Sequence, residues 1–239
     1  MISRAGSTPK RARVRPVVVG VGDHNGWAIL VSAAAVNGRP TVIDRRRVPL
    51  VERGVPNQPY HHETLALTGA EAEQLLRKVR GSITACTALA FDRLSTDLSP
   101  AYRVCSITIR HSPLGDLPAT VSEVHASYYT LCRADAMLYH SAICAAARQR
   151  DWDLVFHRRG EELARAAKTL QASPDEVERF VNGLGRTLKP PWTAEYRHAF
   201  AAAIARLREH SKVVALRNWF EVSGDGPVKH HKMSRNEGL

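Results

Sequence analysis

Val18-Val-Gly-Val-Gly-Asp23-His-Asn-Gly-Trp27-Ala-Ile-Leu-Val31 is the stretch on which the fold turns. Its first part, from Pro16 to Gly22, is a short apolar run rich in β-branched residues, the pattern of a buried strand. Asp23-His24-Asn25-Gly26 follows. Asn-Gly tolerates positive φ at both residues and so predicts a tight turn with Asp23 at its entrance. Trp27 to Val36 resumes as a second apolar strand, and Asn37-Gly38-Arg39-Pro40 makes another turn. Thr41 to Leu50 alternates in polarity and carries Arg45-Arg46-Arg47, which suits a third strand toward the sheet edge. Three strands joined by two short turns make an antiparallel meander.

Beyond it, Val51 to Thr64 is rich in Pro, Gly and His and reads as a loop. Thr68-Gly-Ala-Glu71 has the form of a capping box, and Ala72, Leu75, Leu76 and Val79 then recur at helical spacing in a helix reaching Phe91. Tyr102 to Ile109 is a fourth strand. Residues 118 to 150 read as helical, with Ala134, Met137, Leu138, Ser141, Cys144 and Ala145 on one face. A fifth strand, Asp153 to His157, follows that helix, the order that builds parallel pairing. Helices are predicted from Gly160 to Ala172, then from the Ser173-Pro174-Asp175-Glu176 start, which joins an N-cap serine to a proline at the first helical position. A last helix from Thr193 to His210 buries Tyr196, Ala199, Phe200, Ala203 and Leu207.

Hydrophobic content of 44% is enough for a packed core, and no run reaches the roughly 18 apolar residues of a membrane span. The polar, basic opening lacks the apolar stretch of a secretory signal, so the expected location is the cytoplasm. One domain over 16–222 is expected between basic tails at 1–15 and 223–239, both disordered. Cys86, Cys105, Cys132 and Cys144 form no C-x-x-C pair, and buried free thiols are expected. Net charge is +11. Five of those charges (Arg4, Lys10, Arg11, Arg13, Arg15) lie in the first fifteen residues, and two more net charges lie over 226–239. The folded part is therefore only mildly basic. Lys10, Arg11, Arg13 and Arg15 are the candidates for contact with the phosphates of DNA or RNA, through counterion release and without sequence preference.

The element order resembles the ribonuclease-H-like superfamily, a mixed five-stranded α/β sheet of three antiparallel strands and then parallel ones, flanked by helices. The segment from Val18 to Val31 resembles the opening of its RuvC-like, Holliday-junction-resolvase branch, in which an Asp ends the first strand. It also resembles a further bacterial group with a similar Pro-Tyr-His-His-Glu segment and last helix. The resemblance implies a divalent-metal-dependent nuclease. In such enzymes two Mg2+ or Mn2+ ions about 4 Å apart activate a water and stabilise the leaving oxygen. Asp23 would be the first ligand and Glu195, opening the last helix, the second. The fourth strand departs from the pattern, because it ends in Arg110-His111 where the family presents an acid. Glu63, Glu123 and His111 are the candidates to complete the set.

Each of these residues also has a plainer reading. Asp23 before Asn-Gly can be a turn residue bonding its own backbone. Glu195 can complement the helix dipole, and Asp135 can be a first-turn charge. His61 and His62 beside Glu63 suit a metal or an acid–base pair, or a solvated loop. Arg158-Arg159 suits phosphate contact or an ordinary strand end. Two further functions stay open beside the nuclease: a catalytically silent nucleic-acid-binding or regulatory module of the same fold, and an actin-like nucleotide-binding protein.

Overall fold

The computed structural model of the chain describes residues 14–112 and 117–219. Lys10, Arg11, Arg13 and the segment 223–239 lie outside the described residues. Five strands form one sheet: β1 (Arg15–His24), β2 (Trp27–Val36), β3 (Arg39–Pro49), β4 (Tyr102–Arg110) and β5 (Asp153–His157), in the order β3-β2-β1-β4-β5. β1 pairs antiparallel with β2, β2 antiparallel with β3, and β1–β4 and β4–β5 are parallel. Both predicted hairpins close as read. Gly26 and the Asn37-Gly38 pair take the positive φ that these tight turns demand.

Helix α1 (Gly69–Leu98) starts at the Thr68–Glu71 capping box and runs about two turns beyond Phe91. The helical reading of 118–150 resolves into α2 (Val121–Val124) and α3 (Tyr128–Arg148). Ser127 causes the break: its hydroxyl accepts from the Thr130 N–H and starts a new helix. The buried face of α3 is turned from the predicted stripe, because Ser141 and Ala145 are exposed while Asp135, Tyr139 and Ile143 are buried. Helices α4 (Glu162–Leu170), α5 (Pro174–Gly183) and α6 (Ala194–His210) follow. No helix among the described residues is long and apolar enough to cross a membrane.

The central strand β1 separates two cores by simple alternation. Val17, Val19 and Val21 face α1 and α3, packing with Phe91, Leu94 and Ile143. Val18 faces the other way, toward Phe200, Ile204 and Leu207 of α6. A strand covered on both faces explains the unbroken apolar run in the sequence. Gly20 lets α6 approach closely, since a Cβ there would fall 1.8 Å from the Ala199 carbonyl oxygen. Of the four free thiols only Cys144 is buried, which corrects the expectation for the other three.

Candidate nucleic-acid interface at the strand ends

The three parallel strands end on the same edge of the sheet, where ligands of open α/β sheets bind. β1 ends in Asp23-His24, β4 in Arg110 followed by His111, and β5 in His157 followed by Arg158-Arg159. The register fixes them side by side: Val21 is opposite Ile109, Arg110 opposite His157, and the His111 N–H donates to the His157 carbonyl at 2.7 Å.

Three carboxylates at this edge are each held by a histidine. Asp23 Oδ2 lies 3.5 Å from His140 Nδ1 on α3. Glu195 Oε1 lies 3.2 Å from His24 Nε2, and Glu162 Oε1 lies 3.4 Å from His157 Nδ1. Burial works to raise the Asp23 pKa, but the hydrogen bond and charge of His140, its own backbone N–H and the charge of Arg110 outweigh it and hold the carboxyl below its ordinary value. The same hydrogen bond to Asp23, helped by Cys144, pushes His140 up to about 9 against the opposing effect of burial. His140 is therefore an imidazolium at neutral pH. The opposite signs of the two shifts describe one ion pair.

That pair has a pH signature. A histidine whose pKa is raised on folding stabilises the fold fully below its unfolded value, and the contribution is lost as pH rises through about 9. At the acid end the Asp23 contribution is lost as pH falls below the ordinary carboxylate range. Urea unfolding across this range is expected to show about 2 kcal/mol of stability, lost between pH 6.5 and 10 in the natural chain and absent in His140→Gln. An identical alkaline fall in both proteins would remove the ion pair from the account.

Neighbouring strand positions decide which residues meet. Asp23 points to the α1/α3 face and His24 to the α6 face, so Asp23 and Glu195 are engaged on opposite sides of the sheet. His24 also stacks on Trp27, at 3.8 Å between ring centroids, and the Arg47 guanidinium lies 4.1 Å from the Trp27 ring centre. His111 is exposed and meets Phe156 edge to face, with His140 on the same ring. Glu63 is exposed and opens a 3-10 turn (Glu63–Ala66) on a loop docked at Asp135, more than a helical turn along α3 from His140. Glu123 closes a capping box, accepting from the Thr120 N–H at 3.0 Å and hydroxyl at 2.9 Å. Arg15 opens β1, about 30 Å along the strand from His24, and so belongs to the opposite edge.

A pair of divalent ions needs several carboxylate oxygens converging on one spot. The residues present do not fit that requirement. Asp23, Glu195, Glu63 and His111 do not form one ligand set, and among the described residues no three His, Cys, Asp or Glu side chains converge to hold a metal. The sequence reading also missed two features: His140 as the partner of Asp23, and His61 joined to Cys132 and Asp135. Polar residues recurring at i, i+3 and i, i+4 on α3 (Cys132, Asp135; His140, Cys144) were the available signal.

Strand order, strand directions and helices on both faces define a ribonuclease-H-like α/β fold. The chain matches no known family model and no curated protein sequence. Among solved structures it is similar to the RuvC of Thermus thermophilus, at 14% identity and a TM-score of 0.43 over 80% of this chain and 92% of that one. It is also similar to the T. thermophilus RuvC in complex with Holliday junction substrate, at 13% identity and a TM-score of 0.43 over 87% of this chain and 96% of that one.

Proposed function

We propose that the chain binds nucleic acid through the phosphate backbone at the ends of β1, β4 and β5, and that it does so without a divalent ion. The observation that carries this reading is the make-up of that edge. Arg110, His111, Arg158 and Arg159 are all exposed there, while Asp23, Glu162 and Glu195 are each paired with an imidazole. No carboxylate ion pair among the described residues holds Arg110, Arg158 or Arg159. Arginine presents planar donors that suit phosphate oxygens. Phe156, itself 37% exposed and flanked by His111 and His140, adds a ring on which an unpaired base can stack. Within this reading His140 supplies, as an imidazolium, the positive charge at Asp23 that a metal would otherwise bring.

The test is fluorescence anisotropy with labelled single-stranded and four-way-junction DNA over a salt series, in EDTA and then in Mg2+ or Mn2+. Affinity is expected to fall as salt rises and to be the same with and without the metal. The Arg110→Ala/Arg158→Ala/Arg159→Ala variant should bind more weakly, with a salt slope shallower by about 2 to 3, because each phosphate contact contributes about 0.9. An unchanged slope would move binding to the terminal basic residues. Metal-dependent cleavage that disappears in Asp23→Asn would restore the nuclease reading.

A further inference from the structure

The loop that docks on α3 builds a second arrangement, away from the strand ends. His61 Nδ1 lies 2.8 Å from Asp135 Oδ2, and His61 Nε2 lies 3.4 Å from Cys132 Sγ. Asp135 is fully buried and also accepts the backbone N–H groups of Tyr60 at 3.0 Å and His61 at 3.3 Å. Its carboxyl meets only donors, which fixes the tautomer of His61. The proton sits on Nδ1, and the Nε2 lone pair faces the thiol. Cys132 and Asp135 are three residues apart on α3 and so share one helix face, with the imidazole inserted from the loop.

We propose that Cys132 is a nucleophilic thiol with His61 as its base and Asp135 as the positioning residue, and that its reaction is exchange with a small disulfide. The Cys132 proton moves to His61 Nε2 as the sulfur attacks one sulfur of the disulfide. A new S–S bond forms, the old one breaks, and the departing thiolate leaves with the proton returned by His61. Cys132 becomes a mixed disulfide and one equivalent of small thiol is released, so electrons balance without a further oxidant. Access is open: Cys132 is half-buried, and Tyr128, one turn earlier on α3, is 74% exposed and meets the His61 ring edge-on.

The other thiols are placed differently. Cys105 donates to the Val17 carbonyl at 3.1 Å, and burial with the nearby charge of Asp153 pushes its pKa up to about 11. Burial also raises Cys86. Cys144 is buried beside the imidazolium of His140. Cys132 alone joins partial exposure to an imidazole acceptor oriented by a carboxylate. This site stands independently of nucleic-acid binding at the strand ends.

The full chain is treated with dithiobis-nitrobenzoate near neutral pH, and the modified peptides are mapped by mass. Cys132 is expected to react first, about tenfold faster than Cys86, since an ordinary thiol with a pKa of about 8.5 is only a few per cent thiolate there. His61→Gln and Asp135→Asn should each slow Cys132 about tenfold at neutral pH. The His61→Gln rate should then rejoin that of the natural chain at alkaline pH, where the thiol ionises unaided; a merely structural role would not give that recovery. Cys86 in the same molecules serves as the reference for folding. Cys132 reacting no faster than Cys86 in the natural chain overturns the proposal without any variant, and so does a neutral-pH rate unchanged by His61→Gln.

Discussion

Gly20→Ala is expected to lower the unfolding free energy by about 3 kcal/mol or more, although it adds a single methyl group. The new Cβ would lie 1.8 Å from the Ala199 carbonyl oxygen, 2.5 Å from its carbon and 3.1 Å from its Cα. All three obstacles are backbone, so no side chain can rotate away. α6 would have to retreat by more than an ångström. Phe200, Ile204 and Leu207 are fully buried on that helix against Val18, Ile29 and Val31, and such a retreat opens gaps along the whole contact. Gly22→Ala is the internal control. Its Cβ would meet only Ile29 Cβ, at an ordinary 3.8 Å, and the cost should stay within about 1 kcal/mol. Urea unfolding of the two variants reads the difference directly, and equal midpoints would mean that α6 is not seated on β1 as described. Because Glu195 opens α6, Gly20→Ala should also separate it from His24 and loosen the strand-end edge.

The same pair of elements shows what the sequence could and could not reveal. The meander was legible because its turns are chemical: Gly26 in one and the Asn37-Gly38 pair in the other supply the positive φ that these two-residue connections require. The capping box at Thr68 and the N-cap serine at Ser173 were legible for the same reason, since their partners lie within three residues. Asp23 and Glu195 both lie at the strand-end edge, each beside a histidine. Their faces were not legible, because a strand has period two and neighbouring residues point opposite ways. Whether Asp23 or His24 meets α6 depends on which helix covers which side, a tertiary outcome. Arg110 at the end of β4 was visible as a departure, but its effect of depressing Asp23 together with His140 required the packing of α3. The contacts of His61 with Cys132 and Asp135 join residues 71 and 74 positions apart, beyond any local pattern. Asp135 itself read as a first-turn charge near a helix start. It is fully buried because the Pro59–Glu63 segment, legible only as part of a loop, folds over it.

That burial makes Asp135→Ala the second large effect, expected at about 3 to 5 kcal/mol. The substitution removes the acceptor for three donors at once: the Tyr60 N–H, the His61 N–H and His61 Nδ1. Tyr60 is itself 4% exposed, packed with Leu76, Val124, Leu131 and Ala134, so its amide cannot turn to water while the loop stays docked. The loop must either keep unsatisfied donors or come away from α3. Leaving would also break the contacts beside it, in which the Tyr139 hydroxyl donates to the Asn57 carbonyl at 2.8 Å and Thr64 Oγ1 lies 2.9 Å from His125 Nε2. Asp135→Asn keeps the shape and one acceptor oxygen but turns an NH2 group toward donors, so its cost should be intermediate, about 1 to 3 kcal/mol. Hydrogen exchange separates local from global loss. The amides of residues 57–64 should lose protection in Asp135→Ala well before those of β1, whose bonds to β2 and β4 do not involve α3. Uniform loss across the sheet would instead make Asp135 a support of the whole core. Full retention at 57–64 would mean that the loop is held by its apolar contacts alone.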